Sequence, residues 1–126
     1  MVQSVQLFQL AAQQARWLAA RQSAVAGNIA NANTPGYSSV DIAPFEQVLD
    51  NAGSQLATTS PRHISLGGGG QAYALRAESK PSLLPSENTV KLEDELIKSG
   101  EVRRTFELNT AIVKAFHRMM TMNTRA

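Results

Sequence analysis

The chain contains no cysteine, and only 6% of its 126 residues are aromatic. Without cysteine there is no disulfide framework, no thiolate nucleophile and no thiolate metal ligand. The low aromatic content argues against a large aromatic-rich core, and 126 residues leave room for one domain at most. A chain without cysteine also meets one obstacle fewer to crossing a membrane unfolded and working in an oxidising compartment.

Long apolar runs and a basic N-terminal segment are absent as well. No stretch approaches the roughly 20 apolar residues that a membrane-spanning helix needs. The first ten residues contain no lysine or arginine, and the first apolar runs are interrupted by Gln3, Gln6, Gln9, Gln13 and Gln14. This pattern is not that of a secretory signal. We therefore expect a cytoplasmic protein, or one exported without a cleaved signal.

The net charge is +2, which is too small to point to nucleic acid, and a DNA-binding helical protein would need a basic patch. Candidates for catalysis are equally weak. His63 and His117 have no acidic or cysteine partner at metal-binding spacing. The glycines at 67–70 lack the Lys-Ser/Thr of a phosphate-binding loop, and the acidic run 93–95 is explained by the helix dipole. We predict no enzyme, and no catalytic, cofactor-binding or metal-binding residue.

Two stretches have helical periodicity. From Ser4 to Ala30, apolar side chains recur at steps of four and seven, which keep them on one helix face: Leu7, Ala11, Leu18, Val25 and Ile29. From Leu92 to Asn123 one series recurs every seven residues, at Leu92, Ser99, Phe106, Val113 and Met120. It is interleaved with Leu96, Val102, Asn109 and Phe116. The spacing predicts a mainly α fold in which long N- and C-terminal amphipathic helices pair as a coiled-coil-like unit.

The second helix carries more apolar width than one thin partner helix would cover. A neighbouring line of apolar residues widens its stripe, at Leu108, Ile112, Ala115 and Met119. Isolated helices are marginal in water and gain most of their stability from packing an apolar face. We therefore expect other chains to bury the remaining face.

The middle of the chain has a different composition. A short helix is predicted from Pro44 to Leu49, with Pro44 at its first position. Weak alternation at 63–66 and 71–75, on either side of the four glycines at 67–70, predicts a small β-hairpin with a glycine tip. The chain thus reads as a single domain, 1–126, with an N-terminal helix at 1–33, a turn, extended and loop segment at 34–88, and a C-terminal helix at 89–126.

The joint between the first helix and the middle segment is the most informative stretch of the sequence. Pro35 ends the helix, and Pro35-Gly36 fits the central positions of a type II turn, where glycine adopts positive φ at little cost. Asn31 and Asn33 tolerate left-handed angles and can hydrogen-bond nearby main chain. The residues predicted to direct the chain out of the helix are Asn28, Asn31, Asn33, Thr34, Pro35, Gly36 and Tyr37.

The sequence of this joint, NIANANTPGY at 28–37, closely resembles the N-terminal motif of the bacterial flagellar rod, hook and hook-associated proteins. The resemblance extends to Asp41, Phe45 and Leu49, to residues 59–64, to Pro81-Ser82 and to the segment 88–92. Together with the short length, these positions are similar to the proximal rod subunits of the family. Two such subunits share the first motif, and the segment 88–92 fits one of them better. Lys91 departs from the family pattern, in which an acidic residue is usual.

The resemblance implies a structural subunit of the basal-body rod, which crosses the periplasm as the drive shaft of the motor. Family members are exported unfolded by the flagellar type III export apparatus, and their terminal helices form the inner coiled-coil layer of a helical tube. The implied partners are other rod subunits, the rod–membrane-ring junction protein FliE and the membrane ring, with no nucleic acid and no small-molecule substrate. We predict that Leu18, Val25, Ile29, Phe106, Val113 and Phe116 pack the helices during assembly.

One alternative class stays open on the sequence alone. A small helical adaptor or secretion chaperone would use the same apolar stripes to bind partners. It would form a closed dimer in solution, whereas a rod subunit is expected to remain a loosely folded monomer until it meets a template.

Overall fold

The computed structural model describes residues 2–53, 73–82 and 84–125. The elements in chain order are α1 (Val2–Ala30), β1 (Val40–Ile42), α2 (Phe45–Gly53), β2 (Leu75–Ala77) and α3 (Leu92–Thr124). The predicted fold class is confirmed: the protein is mainly helical, with long terminal helices and a small antiparallel sheet in the middle. Within the described residues, no helix is long and apolar enough to cross a membrane.

Helices α1 and α3 pack against each other in antiparallel orientation. Phe8 near the start of α1 contacts Phe116 near the end of α3, with ring centroids 5.7 Å apart. At the opposite end of the pair, the Asn28 Nδ2 atom lies 3.0 Å from Glu95 Oε2. Between these ends, Asn109 Nδ2 donates to the main-chain carbonyl of Ala11 at 3.0 Å. The pairing therefore runs along most of the length of both helices.

The residues that α3 buries are spaced seven apart. Glu95, Val102 and Asn109 are buried, and Phe116, seven residues further on, is half-buried. Of the interleaved line noted in the sequence, Val102, Asn109 and Phe116 therefore lie on the packed side. Leu96, its first member, does not: it is 58% exposed, and Glu95 takes the interior position. Position 95 lies seven residues before Val102 and so falls on the same helix face. A carboxylate can be buried there because Asn28 and Lys98 hydrogen-bond it.

The sheet pairs β1 with β2 in antiparallel register, with Asp41 opposite Arg76 and Ile42 opposite Leu75. The predicted hairpin between 63–66 and 71–75 lies largely outside the described residues. Of its two strands, only Leu75 is in a described strand, and its partner is Ile42. Helix α2 begins at Phe45, one residue later than predicted, and the Pro44 carbonyl accepts hydrogen bonds from the amides of Gln47 and Val48.

The apolar core lies where the helix pair meets β1 and α2. It is formed by buried Trp17, Leu18, Ile42 and Val102, with Ala20, Phe45, Val48 and Tyr73 packed around them. The Trp17 Nε1 atom donates to the Ala43 carbonyl at 2.8 Å, and its ring lies 5.8 Å from that of Phe45. Trp17 was not among the residues predicted to pack, yet it joins α1 to the middle segment.

Candidate assembly site: the joint and the helix faces

The turn at the end of α1 has the predicted geometry. The Tyr37 amide donates to the Thr34 carbonyl at 3.3 Å, and Gly36 has a φ of 71°. Pro35 and Gly36 therefore occupy the central positions of a type II turn. The Gly36 amide donates to the Ser86 carbonyl at 2.7 Å, so the turn is also tied to the loop before α3.

The asparagines of the joint match the prediction only in part. Neither Asn31 nor Asn33 has positive φ, and among the described residues the non-glycine residue with positive φ is Glu87. Asn31 does hydrogen-bond nearby main chain, because its Nδ2 donates to the Gly27 carbonyl at 2.8 Å, and its Oδ1 accepts from the Thr34 hydroxyl at 3.2 Å. Asn33 is exposed. Asn31 thus ends the helix by side-chain hydrogen bonding, with ordinary backbone angles.

Asn28 is the centre of the joint. It is fully buried, its Nδ2 donates to the Val40 carbonyl at 2.7 Å and to Glu95 Oε2 at 3.0 Å, and its Oδ1 accepts from the Val40 amide at 3.0 Å. The Tyr37 hydroxyl approaches the same Oδ1 at 3.4 Å. The side-chain amide of Asn28 therefore hydrogen-bonds the N–H and the C=O of Val40 and also the buried carboxylate of Glu95. This geometry fixes the direction in which the chain leaves α1 and connects it to α3.

A second asparagine, Asn88, closes the joint from the other side. Its Nδ2 lies 2.9, 3.0 and 2.8 Å from the carbonyl oxygens of Asn31, Ala32 and Thr34, which follow the last turn of α1. Its Oδ1 accepts from the Val90 amide at 2.8 Å. Carbonyls at a helix end need such donors when they are buried. The segment 88–92, which only the family resemblance had singled out, therefore contains the side chain that hydrogen-bonds the joint from the α3 side.

Charged side chains continue this connection across the sheet. Lys98 of α3 contacts Glu95 at 3.1 Å, Glu78 at 2.5 Å and Asp41 at 3.8 Å. Arg21 of α1 lies 3.3 Å from Asp41, so the ion pairs run from α1 through β1 to α3. Because the Lys98 and Glu78 side chains are only 12% and 17% exposed, these pairs are less screened than surface pairs. They hold the segment after β2 against α3.

The environment of Glu78 strongly favours its charged form. Burial raises the pKa of this carboxyl, but hydrogen bonds from Lys98 and Ser39 and the Lys98 charge outweigh burial and lower the pKa from 4.5 to about 2. Burial likewise lowers the pKa of Lys98, and its hydrogen bonds to Glu78 and Glu95 more than reverse that effect, so the pKa is raised. Both groups are therefore charged in the folded chain at neutral pH.

Acid should weaken the fold through Glu78. Its folded pKa lies below its unfolded value, so the stabilisation is complete above pH 4.5 and is lost as the pH falls toward 2. One such proton changes the free energy of unfolding by up to about 1.4 kcal/mol per pH unit in that window. Thermal unfolding followed by circular dichroism should show a shallower pH dependence for Glu78→Gln than for the wild type. The control is Glu107→Gln, since the pair Arg103–Glu107 is exposed. An unchanged slope in Glu78→Gln would contradict this assignment.

The six predicted assembly residues do not form one buried set. Leu18 and Val25 are buried at 1% exposure, and Val113 and Phe116 are half-buried. Ile29 and Phe106 are 36% and 51% exposed. Phe106 lies at the edge of a groove of ≈ 470 Å³ between α1 and α3, whose floor includes Leu18 and Val102. Within the chain, Ile29 and Phe106 are thus surface residues.

Helix α3 presents a second apolar face that its own chain leaves exposed. We call it the outer stripe; it consists of Leu108, Ile112, Ala115, Met119 and Met122, at successive steps of four and three. Its four large side chains are 47 to 64% exposed. Steps of three and four are typical of a helix face that packs against another helix. In the described residues, no cluster of three or more His, Asp or Glu side chains could hold a metal ion.

The comparisons with known proteins agree with this architecture. The family described as "Flagella basal body rod protein" matches residues 9–37, which span most of α1 and the joint. The "Flagellar basal body rod protein FlgB" of Agrobacterium fabrum is 41% identical over 129 residues, covering 98% of this chain and 96% of the relative. Similarity over both lengths favours FlgB over the sibling proximal rod subunit FlgC and over an adaptor or chaperone. The chain belongs to the FlgB family of flagellar basal body rod proteins.

Proposed function

We propose that this structural rod subunit assembles through the exposed faces of its two terminal helices, and that the resulting helical tube transmits torque across the periplasm. The observation that carries the proposal is the exposed apolar surface of α3. Leu108, Met119 and Met122 of the outer stripe are each more than half exposed in the single chain, and so is Phe106 on another side of the helix. A contiguous apolar surface such as the outer stripe is typical of a protein interface.

The joint has a separate role in this proposal. Residues 28–37 are fixed to α3 through Glu95 and to the loop before α3 through Asn88. The middle segment therefore leaves the helix pair in one direction, and every subunit would present it at the same angle around the tube. The motif residues would act as an orienting element, with the helices supplying the contacts between subunits.

The proposed partners are other rod subunits, FliE and the membrane ring, with no nucleic acid and no small-molecule substrate. We further propose export in an unfolded state by the flagellar type III apparatus, without a cleaved signal peptide. A cysteine-free chain with a small apolar core is suited to such a route, because little burial has to be undone. Contacts that repeat head to tail around a screw axis give an open assembly, in which growth occurs at a template.

Phe106→Asp tests the assembly role. Because Phe106 is 51% exposed, the substitution should leave the unfolding temperature of the isolated chain within about 2 °C, consistent with a small surface effect. In the rod it would bury an unpaired carboxylate, so swimming and the recovery of hook–basal bodies should be lost. Normal motility with Phe106→Asp would remove Phe106 from the assembly surface.

The matched control is Gln47→Asp, which places the same carboxylate on the exposed surface of α2. It should support normal motility. Loss of motility in both variants, with both proteins folded, would show that charge in general is not tolerated and would leave no specific role for the face around Phe106.

A further inference from the structure

We infer that Met119 and Met122 form a redox-sensitive modification site, at which a two-electron oxidant of the peroxide class converts the unassembled chain into a form that cannot bury its outer stripe. The inference deepens the proposed assembly role by naming a way in which that role is regulated, and it rests on that role. Its basis is the position of the sulfur atoms of the chain, and it holds for any partner that covers the stripe.

The sulfur atoms of the chain are concentrated near the C-terminal end of α3. There is no cysteine, and the four methionines are Met1, Met119, Met120 and Met122. The methionine thioether is a common target of two-electron oxidants in proteins. With no thiol to react first, three of the four targets in this chain lie within four consecutive residues of one helix.

The structure separates these three methionines by exposure. Met119 and Met122 are 59% and 64% exposed, and both belong to the outer stripe. Because they are three residues apart, their side chains are neighbours on one face of the helix. Met120 is half-buried and lies seven residues after half-buried Val113, on a different side of the helix. An oxidant must reach the sulfur atom, so Met119 and Met122 are the two that react first.

The modification is a two-electron oxidation of each thioether. The sulfur atom attacks one oxygen of hydrogen peroxide, and an S–O bond forms as the O–O bond breaks. The proton of the transferred hydroxyl passes to the leaving hydroxide, which departs as water. The sulfur is thus oxidised to the sulfoxide and the peroxide is reduced. Methionine sulfoxide reductases reverse the change with a thiol as the reductant, so the modification can act as a switch.

Oxidation alters the outer stripe without removing a contact of the core. Neither Met119 nor Met122 belongs to the core cluster around Trp17. A sulfoxide is polar and accepts hydrogen bonds, whereas the other members of the stripe are aliphatic and offer no donor. Burying a polar group without a hydrogen-bond partner is unfavourable. The oxidised chain therefore stays folded, but its outer stripe is no longer suited to an apolar contact.

Peroxide treatment of the purified full chain tests the selectivity. Tandem mass spectrometry of the peptide 119–125 should show Met119 and Met122 oxidised about threefold or more faster than Met120. The oxidised chain should keep its unfolding temperature within about 2 °C and elute earlier from a hydrophobic-interaction column. The variant Met119→Leu/Met122→Leu, which lacks both thioethers, should lose most of this shift in elution. Equal oxidation rates at the three methionines, or unfolding on oxidation, would overturn the inference.

Glutamine substitutions test the effect on assembly in cells, because glutamine is an uncharged polar side chain of similar length to methionine sulfoxide. In a strain without the native subunit, Met119→Gln/Met122→Gln should reduce the recovery of hook–basal bodies about tenfold or more. Met119→Leu/Met122→Leu should give wild-type recovery. The matched control is Leu75→Gln/Leu84→Gln, which changes two side chains of 64% and 52% exposure outside the helices and should also assemble. Loss of assembly in both glutamine pairs would overturn the inference.

Peroxide treatment of intact hook–basal bodies separates the inference from the proposed function. Because the outer stripe is covered in the proposed rod, Met119 and Met122 should be oxidised about tenfold or more slowly there than in the free chain. Equal rates in the two samples would overturn the proposed burial of this face, and the inference with it. Protection in the rod, together with normal assembly of Met119→Gln/Met122→Gln, would overturn the inference alone, because the covered face would then tolerate a polar group.

Discussion

Replacing Asn28 with alanine is expected to lower the free energy of unfolding by about 3 kcal/mol, the largest effect of any substitution in the joint. The substitution removes the donor to Glu95 and both partners of the Val40 main chain. Because Asn28 and Glu95 are fully buried, water does not replace the lost hydrogen bonds without opening the structure. Urea unfolding followed by circular dichroism measures the change.

The same motif supplies the control. Asn33→Ala removes an identical side chain five residues further on, where it is exposed, and it should change the free energy of unfolding by less than about 0.5 kcal/mol. Equal effects of the two substitutions would show that the motif acts through local helix termination alone. A large difference would locate its function in the contact between the two helices.

The sequence predicted the parts of the fold that depend on local interactions. Helix α3 was expected from Leu92 to Asn123 and spans Leu92–Thr124, because its periodicity extends over many turns. The type II turn at Pro35-Gly36 was expected because only its own residues determine it. For such elements the chemistry of a few neighbouring side chains is sufficient, and no distant partner is needed.

The parts that were missed depend on residues far apart in the chain. Glu95 is buried because Asn28, 67 residues earlier, donates to it and Lys98 neutralises it. Hydropathy alone assigns a glutamate to the surface, and it favoured Leu96 at this point of the stripe. The heptad spacing of Glu95 to Val102 was the available signal. Strand β1 has three residues, and its pairing with β2 joins positions more than 30 apart, which no local pattern predicts.

The existence of the outer stripe could be predicted from the sequence. The excess apolar width of the second helix was visible in the line from Leu108 to Met119, and the structure confirms that this line is exposed. The exposure of Phe106, by contrast, could not be predicted from the sequence, because Phe106 lies in the same heptad series as half-buried Val113. Phe106 is partly open to solvent because it lines the groove between α1 and α3, and that groove depends on how the two helices are placed relative to each other.

Trp17→Ala is expected to cost about 4 kcal/mol of folding free energy, because it removes the largest side chain of the core and leaves a cavity between α1, β1 and α2. Trp17→Phe keeps most of the apolar volume but removes the hydrogen bond from Nε1 to the Ala43 carbonyl, and it should cost about 1–2 kcal/mol. Leu10→Ala on the same helix is the control: Leu10 is 42% exposed, so its loss should cost less than about 1 kcal/mol.

The consequences of Trp17→Ala should differ between the two parts of the fold. The contacts of Phe8 with Phe116 and of Asn109 with Ala11 do not involve Trp17, whereas the attachment of β1 and α2 to the helix pair does. Amide hydrogen exchange should therefore rise first in residues 40–53 and only later in α3. Uniform loss of protection in both regions would show that the helix pair is not stable without the middle segment. In that case the rod subunit would have to order its middle segment before its helices could pack into the tube.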